Sequence, residues 1–599
     1  MKQVLDNLYL YEDTCHVYVV KNGQNAVLID FGSGDVLDEL HSIGVRHVAA
    51  ILMTHHHRDQ GQGLKRANEK DIPIWVPAAE KDLFAEVDRY WQSRELDNNY
   101  NMRQDRFSLL QSVFVEGTLI DYKTYTFGDL QFEVIPTPGH TTGSVSFLTE
   151  ISGKRVVFTG DLLAGPGKVW SLAATQWSYN GGEGLPFTIL SLLDVKEKKT
   201  ELLLPSHGEI IDEPASAIDS VIERLSKLVK LRKQNPRLFQ LRSKPYEEIT
   251  PHLLKNRTSC SNAYVLLSAN NKALLIDFGY DFIAGTGAGF DRSSRRPWLY
   301  TIKSLKEQYG VEKIDVALPT HYHDDHVAGF NLLKEIEGTE IWCPENFSDV
   351  LENPKSYNLP CLWYDSIAVD RILPLKQTFQ WEEYQFTLHE QSGHTYYAVA
   401  IEFEVDGKKV LAIGDQYEGD HFNYVYHNGF RMMDYQDSAA LYKQIRPDLL
   451  IAGHCEPIEI TDHYLVHISQ IGQELEKLHR DLLPLEEVDF GAEGFGAKIM
   501  PYQTIVKSGE TTTFTVQVKN PFSTEQNIQV ELIVPDGWIQ KNCKCTEIVE
   551  GNGTISVLFQ VTVPFGLTEK RERIAVDLTV GNRKFGQHAE AVITISNKL

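Results

Sequence analysis

The sequence predicts an α/β chain built from two like units in tandem, closed by an all-β sandwich. Three observations predict this. A series of five landmarks runs through residues 1–240 and returns in the same order through 250–485. Within each copy, apolar runs of strand length alternate with helix-type stretches, and polar residues of ligating type follow the ends of those runs. From about residue 498 the pattern becomes short runs of alternating apolar and polar residues separated by turn signals.

The landmarks come in this order. CHVYVVKNGQNAVLIDFG, from Cys15, aligns with SNAYVLLSANNKALLIDFG, from Ser261, and each reads as two strands joined by a tight polar turn, with Asn22-Gly23 the hairpin signal in the first. A helix-type stretch and an apolar strand follow (HVAAILMT; KIDVALPT), then a histidine cluster. Later TPGHTTGSVSF matches QSGHTYYAVAIEF, VVFTGD matches VLAIGD, and LLLPSHGE matches LLIAGHCE. His140 to Asp161 is 21 residues, as is His394 to Asp415. One short motif repeats easily by chance, whereas an ordered series points to an internal duplication.

Each unit ends in an amphipathic helix. Ile218, Val221, Ile222, Leu225, Leu228 and Val229 share one face of the first, and Ile468, Ile471, Leu475, Leu478 and Leu482 one face of the second, each stripe expected to pack on its own unit's sheet. In the tail, TTTFTVQVKN, NIQVELIVP, GTISVLFQVTVP and RIAVDLTVGN read as antiparallel strands of a sandwich over 498–599. Its VPDGW resembles the strand-end signature of small immunoglobulin-like domains, with Trp538 expected in the core.

The formal charge of −24 repels phosphate backbones and anionic lipid, so neither nucleic acid nor membrane is expected as a partner. Seven scattered cysteines form no disulfide framework, the N-terminus enters a strand pattern without a signal-peptide profile, and no apolar run is long enough to span a bilayer. The expected location is cytoplasmic.

In LPTHYHDDHVAGF (318–330), His321 and His323 stand two apart directly after a strand, with Asp325 and His326 next; His394, Asp415 and His454 follow later, each where an apolar run ends. Side chains at such strand ends share one sheet edge. Seven imidazoles and carboxylates there suffice for two metal ions: zinc suits the nitrogens, and a carboxylate can bridge. Iron and manganese are alternatives. A lone histidine such as His252, His421 or His427 reads as an ordinary surface or core residue.

The run His-x-His-x-Asp-His, then Gly-His, then a strand ending in Gly-Asp, then a late Gly-His, resembles the metallo-β-lactamase superfamily, in two copies over about 1–485. The resemblance implies an αββα sandwich in each unit, an α/β (α+β) arrangement with metals at one edge. It implies that His321, His323 and His394 bind one Zn2+, that Asp325, His326 and His454 bind a second, and that Asp415 bridges them. Asp325 would also orient the nucleophile, since zinc brings a bound water's pKa from 15.7 to about 7. Asp277, at the end of LLIDFG, would hold a ligand imidazole by hydrogen bond, as would Asp30 in the first unit.

In LMTHHHRDQGQG (52–63) the first copy departs from this pattern. His55, His57 and His140 complete a first-metal set, and Asp59, Asp161 and His207 remain for the second, but Gln60 replaces the histidine and Arg58 adds positive charge. An amide oxygen is a poor zinc donor beside imidazoles. At most one tight ion is expected there, with weak or silent catalysis; the alternative is that both units act, on different substrates.

Between LLIDFG and the next helix the second unit inserts YDFIAGTGAGFDRSSRRPW, in which Gly285, Gly287 and Gly289 suggest mobility and Arg292, Arg295 and Arg296 could meet a substrate anion. The resemblance also implies that a tyrosine near the metals can stabilise an oxyanion; after Asp415, Tyr417, Tyr424 and Tyr426 are the candidates, with Tyr424 taken as the catalytic one. AAEKDLFAEVDRYWQSRELDNNY (78–100) reads as a helical insertion with Leu83, Phe84, Val87, Tyr90 and Trp91 on one face. The function expected is a metal-dependent hydrolase of a small ester, thioester, lactone or lactam, with its main site in the second unit. TPGHTTGSVSF resembles hydroxyacylglutathione hydrolases, and HYHDDHVAG resembles zinc β-lactamases. A phosphodiesterase or nuclease is the nearest alternative, disfavoured by the charge and the lack of a basic stripe; a non-enzymatic scaffold is another. A flavodiiron-type oxidoreductase fits poorly, since that family has Glu where His323 stands. A homo-oligomer through the sandwich is compatible with the sequence.

Overall fold

The computed structural model describes residues 1–93, 107–172, 184–232, 235, 237–283, 292–419, 429–541 and 543–596. In the first unit, a seven-stranded sheet begins with the antiparallel strands Lys2–Leu5, Leu8–Glu12, His16–Asn22 and Asn25–Ile29 and continues with His47–Leu52, Ile74–Pro77 and Gly117–Leu119 in parallel. A five-stranded sheet runs Leu202–Pro205, Lys154–Gly160, Val145–Ile151, Leu130–Pro136, Thr124–Phe127.

The period-two alternation of a strand sends neighbouring residues to opposite faces. Tyr18 and Val20 therefore meet Phe132, Phe147 and Phe158 of the facing sheet, while Val17 and Val19 pack outward with Leu64, Phe84 and Val87. The outer face of the smaller sheet is covered by the helices Gly184–Glu197 and Pro214–Leu231. Both faces of both sheets are thus buried, which gives the αββα layering. The second unit repeats it with a seven-stranded sheet from Tyr246–Thr250 to Arg371–Leu373 and a six-stranded sheet from Thr378–Trp381 to Ile458–Glu459.

The mark at residue 240 falls inside the helix Leu238–Ser243, and the second sheet's first strand, Tyr246–Thr250, starts ahead of 250. The units pack together here: Ile283, Trp298 and Tyr300 of the second join Leu185, Leu225 and Leu238 in one apolar cluster.

The closing helices differ. In Pro214–Leu231 the residues Ile218, Val221, Leu225 and Val229 are buried. In Asp462–Leu482 only the first half behaves so, with Tyr464, Leu465 and Ile468 buried, whereas Leu478 and Leu482 are 49% and 80% exposed. The expected stripe fails at its C-terminal end, where the helix keeps a contact through His479, against Phe430, and not through Leu478 or Leu482. The insertion after Ala78 holds short helices at Asp82–Ala85 and Val87–Ser93 with Leu83, Phe84 and Val87 buried, but Trp91 is 39% exposed.

The tail forms a four-stranded and a five-stranded sheet around Phe514, Val516, Val530, Phe559, Val576 and Ile593. Trp538 is only half-buried; it sits in the turn before Ile539–Lys541 and packs on the edge of that core, not within it. All seven cysteines are free thiols. Among the described residues, no helix is long and apolar enough to cross a membrane. Phe514 is fully buried, so Phe514→Ala should cost about 3–5 kcal/mol. Calorimetry should show an earlier unfolding step for the tail, with metal content unchanged.

Candidate metal centres

Each polar site residue follows the end of a strand. Lys272–Ile276 leads into Asp277, Lys313–Leu318 into Thr320 and His321, Tyr384–Glu390 toward His394, Lys408–Ala412 toward Asp415, and Leu449–Ile451 toward His454. Asp277 adopts a left-handed backbone with φ of 60°, and Asp30 does the same with φ of 56°. Aspartate tolerates that region better than most residues, and there the carboxylate meets the next strand's end. The Thr320 N–H donates to Asp277 Oδ1 at 2.7 Å and the Thr320 hydroxyl to Oδ2 at 2.8 Å. That hydroxyl has one proton and spends it on Asp277, so it can only accept from His321 Nδ1, 3.1 Å away. His321 is thereby held with its Nε2 lone pair toward the site. His326 Nδ1 lies 2.9 Å from Asp277 Oδ2, which turns its Nε2 the same way.

The donor atoms converge. His321, His323, His394 and Asp415 form one group and Asp325, His326, Asp415 and His454 another, the ligating atoms of each lying within 4.8 Å of one another. Asp415 belongs to both: its Oδ2 is 3.7 Å from His321 Nε2, 3.5 Å from His394 Nε2 and 3.3 Å from His454 Nε2, and its Oδ1 is 3.3 Å from His326 Nε2. Asp325 Oδ2 is 3.2 Å from His454 Nε2 and 3.7 Å from His326 Nε2. His321 Nε2, His326 Nε2 and Asp415 Oδ1 are buried with no hydrogen-bond partner among the described residues. Buried polar atoms left without partners around one small space are costly unless a cation answers them, so the donor set fits a divalent metal.

Burial holds His321 and His323 well below the usual imidazole pKa. Burial works the same way on His326, but Asp415, Asp325 and Asp277 outweigh it and push that ring well above. His454 is likewise disfavoured by burial yet raised to about 10 by its contacts with Asp325 and Asp415.

The first unit brings together a smaller group, His55, His57 and His140. Asp161 Oδ2 stands 3.7 Å from His55 Nε2 and 3.4 Å from His140 Nε2. Thr54 donates to Asp30 through its N–H at 2.8 Å and through its hydroxyl, which also meets His55 Nδ1 at 3.0 Å, repeating the second unit's arrangement. The second set is altered. Gln60 is buried and its amide donates to Asp161 Oδ2 at 3.3 Å. The Ser206 hydroxyl donates to Asp30 Oδ2 at 2.6 Å, taking the contact that His326 makes with Asp277.

Ser206 occupies the place of Gly453, where a Cβ would fall 2.0 Å from Asp415 Oδ1 and 2.7 Å from His326 Cε1. A side chain at position 453 would therefore force Asp415 or His326 to shift. His207 also faces differently: its Nδ1 meets Asp161 at 2.9 Å, its Nε2 lies 3.1 Å from the Thr14 carbonyl and 3.4 Å from Asp59, and Trp170 stacks on it at 4.3 Å. Burial opposes charge on His207, but Asp161 raises its pKa to about 9. Arg58 donates to the Ser108 carbonyl at 3.2 Å.

The substrate-side expectations change most. Arg292 pairs with Asp365, Arg295 with Asp324 and Arg296 with Asp121, so each guanidinium expected to await a substrate anion already has a carboxylate. Tyr417 is buried and donates to the Tyr435 carbonyl at 3.3 Å, a core position. Tyr424, Tyr426 and the glycines 285, 287 and 289 lie outside the described residues. Sequence reasoning missed Thr54 and Thr320, although a threonine before the first histidine in both copies was the available signal. It also missed the buried pair of His56 Nδ1 with Glu80 Oε1 at 3.0 Å, which no spacing announces.

The family model of the metallo-beta-lactamase superfamily matches residues 10–207 and 259–454, more than half of the chain. The chain belongs to this superfamily. A probable metallo-hydrolase of Streptococcus pyogenes serotype M6 is 29% identical over 25% of this chain and 61% of its own length. A beta-lactamase-like protein 2 homolog of Drosophila melanogaster is 24% identical over 35% and 63%, and the hydroxyacylglutathione hydrolase of Brucella ovis 32% over 19% and 33%. The chain therefore spans less than two thirds of each of these relatives. Among solved structures, a metallo-beta-lactamase family protein from Thermus thermophilus is 18% identical with a TM-score of 0.31, over 38% of this chain and 82% of that one. Each stretch matched to the superfamily contains one of the three-histidine groups. The superfamily match and the His/Asp clusters together imply a divalent metal.

Gly453→Ser should remove the second ion from the second unit and keep the first, read as metal content after dialysis. The pair Gln60→His with Ser206→Gly should strengthen ion binding in the first unit. Metal displaces protons from its ligands, so the Asp325–His326–His454 set should bind more tightly as pH rises toward about 10, with proton release. His55, held at about 3, His57, held well below the usual imidazole range, and His140, lowered from it, all chiefly by burial, should release few protons at pH 7. Zn2+ calorimetry in buffers of different ionisation enthalpy separates the two cases.

Proposed function

We propose that the second unit is the working centre of a metal-dependent hydrolase acting on a small thioester, ester, lactone or lactam. His321, His323 and His394 would hold one ion and Asp325, His326 and His454 the other, with Asp415 between them. The observation that supports this most is the sharing of Asp415 by two complete donor groups, which the first unit does not repeat. Five imidazoles with carboxylates suit Zn2+, with iron or manganese as alternatives. Ions held there supply Lewis acidity that brings a water's pKa from 15.7 toward about 7.

The chain's own groups set the geometry. Asp277 keeps the proton of His326 on Nδ1, and Thr320 keeps that of His321 on Nδ1, so both rings offer Nε2 inward. Asp325 Oδ2, 3.2 Å from His454 Nε2 at the more open face, would accept a hydrogen bond from the attacking water and fix its direction. The first unit would hold at most one ion tightly, through His55, His57 and His140, because Gln60 and Ser206 fill the second set. The hydroxyacylglutathione hydrolase similarity favours a thioester within the acyl class. The tail we read as an immunoglobulin-like accessory unit.

Asp325→Ala should lower kcat/KM on acyl esters and thioesters by about 100-fold or more, and His55→Ala should change it less than about threefold if the first unit is silent. Faster turnover of bis-para-nitrophenyl phosphate than of every acyl substrate would replace this reading with a phosphodiesterase.

A further inference from the structure

The segment Arg292–Arg296 of the second unit touches the ligand-bearing loops of both units. On one side, Arg295 pairs with Asp324, whose side chain is only 4% exposed. Asp324 lies between His323 and Asp325 and opens the helix Asp324–Val327, which carries Asp325 and His326. On the other side, Arg296 makes a two-pronged bond to Asp121 of the first unit, Nε to Oδ2 at 2.7 Å and Nη2 to Oδ1 at 2.6 Å. Its Nη1 donates to the carbonyls of Thr142 and Ser144 at 2.9 and 3.1 Å. Thr142, two residues past the ligand His140, also donates its hydroxyl to Ser293 Oγ at 2.9 Å. Trp298 and Tyr300 then enter the first unit's apolar cluster, and the Leu299 N–H donates to the Tyr122 hydroxyl at 3.0 Å.

The brace is one-sided. At the place of Asp324 the first unit has Arg58, of opposite charge, bonded within its own unit to the Ser108 carbonyl. A planar guanidinium gripping a carboxylate by two bonds fixes orientation as well as charge. Here the grip anchors a strut whose far end holds the start of the second unit's ligand helix.

We infer that Arg295 is a positioning residue for the Asp325–His326–His454 ion set, and that the first unit serves that set as a structural brace through Asp121 and Arg296. This rests on the reading of the second unit as a two-ion site, and it gives the altered first unit a task independent of its own metal. Loss of either pair frees the helix start to shift, and donor positions must hold to a few tenths of an ångström for tight binding.

The test is Zn2+ titration of the full chain, with Co2+ absorption to tell the ions apart. Arg295→Gln and Arg296→Lys should weaken the second ion by about 10–100-fold and leave the ion on His321, His323 and His394 unchanged. Arg296→Lys keeps the charge and lies away from the ligands, so it decides the matter if Arg295→Gln does not fold. Lys123→Ala breaks an exposed ion pair with Glu335 that also joins the units, and it should leave both affinities as they were. Equal second-ion affinity in wild type and Arg296→Lys would overturn the brace, as would an equal loss in Lys123→Ala. A wild-type chain that binds no second ion in the second unit would instead remove the two-ion reading itself.

Discussion

In both units a buried aspartate in a left-handed backbone at a strand end, Asp277 or Asp30, ties the ends of neighbouring parallel strands together. It satisfies the N–H and hydroxyl of the following strand's threonine, and the threonine in turn fixes the first histidine ring. The αββα layering exists so that this edge stays in register: with apolar side chains filling both faces of both sheets, the strand ends have no freedom to drift. Everything that gathers at the edge, from His321 to His454, inherits its position from that constraint.

The difference between the units lies in what completes the aspartate's shell. Asp277 accepts a hydrogen bond from His326 Nδ1–H, and that ring can then present its other nitrogen inward. Asp30 accepts a hydrogen bond from the Ser206 hydroxyl, a group that offers no nitrogen donor to a metal. A side chain at Gly453 would crowd Asp415 and His326, so the second unit's arrangement goes with a glycine there and the first unit's with Ser206. Trp170 stacked on His207 and the Gln60 amide on Asp161 follow the same direction, closing polar groups on one another where the second unit leaves them converging.

The units are also joined into one body. Apolar residues 283, 298 and 300 cross into the first unit's core, and the buried Arg296–Asp121 pair lies beside them. A buried ion pair contributes little net stability by itself, since desolvation offsets its attraction, but breaking it leaves a stranded charge. That asymmetry makes it a means of fixing geometry, and its location between two ligand loops gives the fixed geometry a use.

The sequence by itself determined the duplication, the layered fold, the seven polar residues that converge at the second unit's sheet edge and the departure at Gln60, because each is written in local order: strand-length apolar runs, fixed spacings, and residue types of ligating chemistry. It misplaced the arginines 292, 295 and 296, the half-buried Trp538, the exposed Leu478 and Leu482, and Tyr417. It gave no sign of Ser206 as the partner of Asp30. Those are matters of which surfaces meet, and a guanidinium or a ring looks the same in sequence whether it faces solvent, a ligand or a neighbouring unit. Only the tertiary structure decided them, since partners such as Arg296 and Asp121 lie 175 residues apart in the chain and are brought together by packing alone.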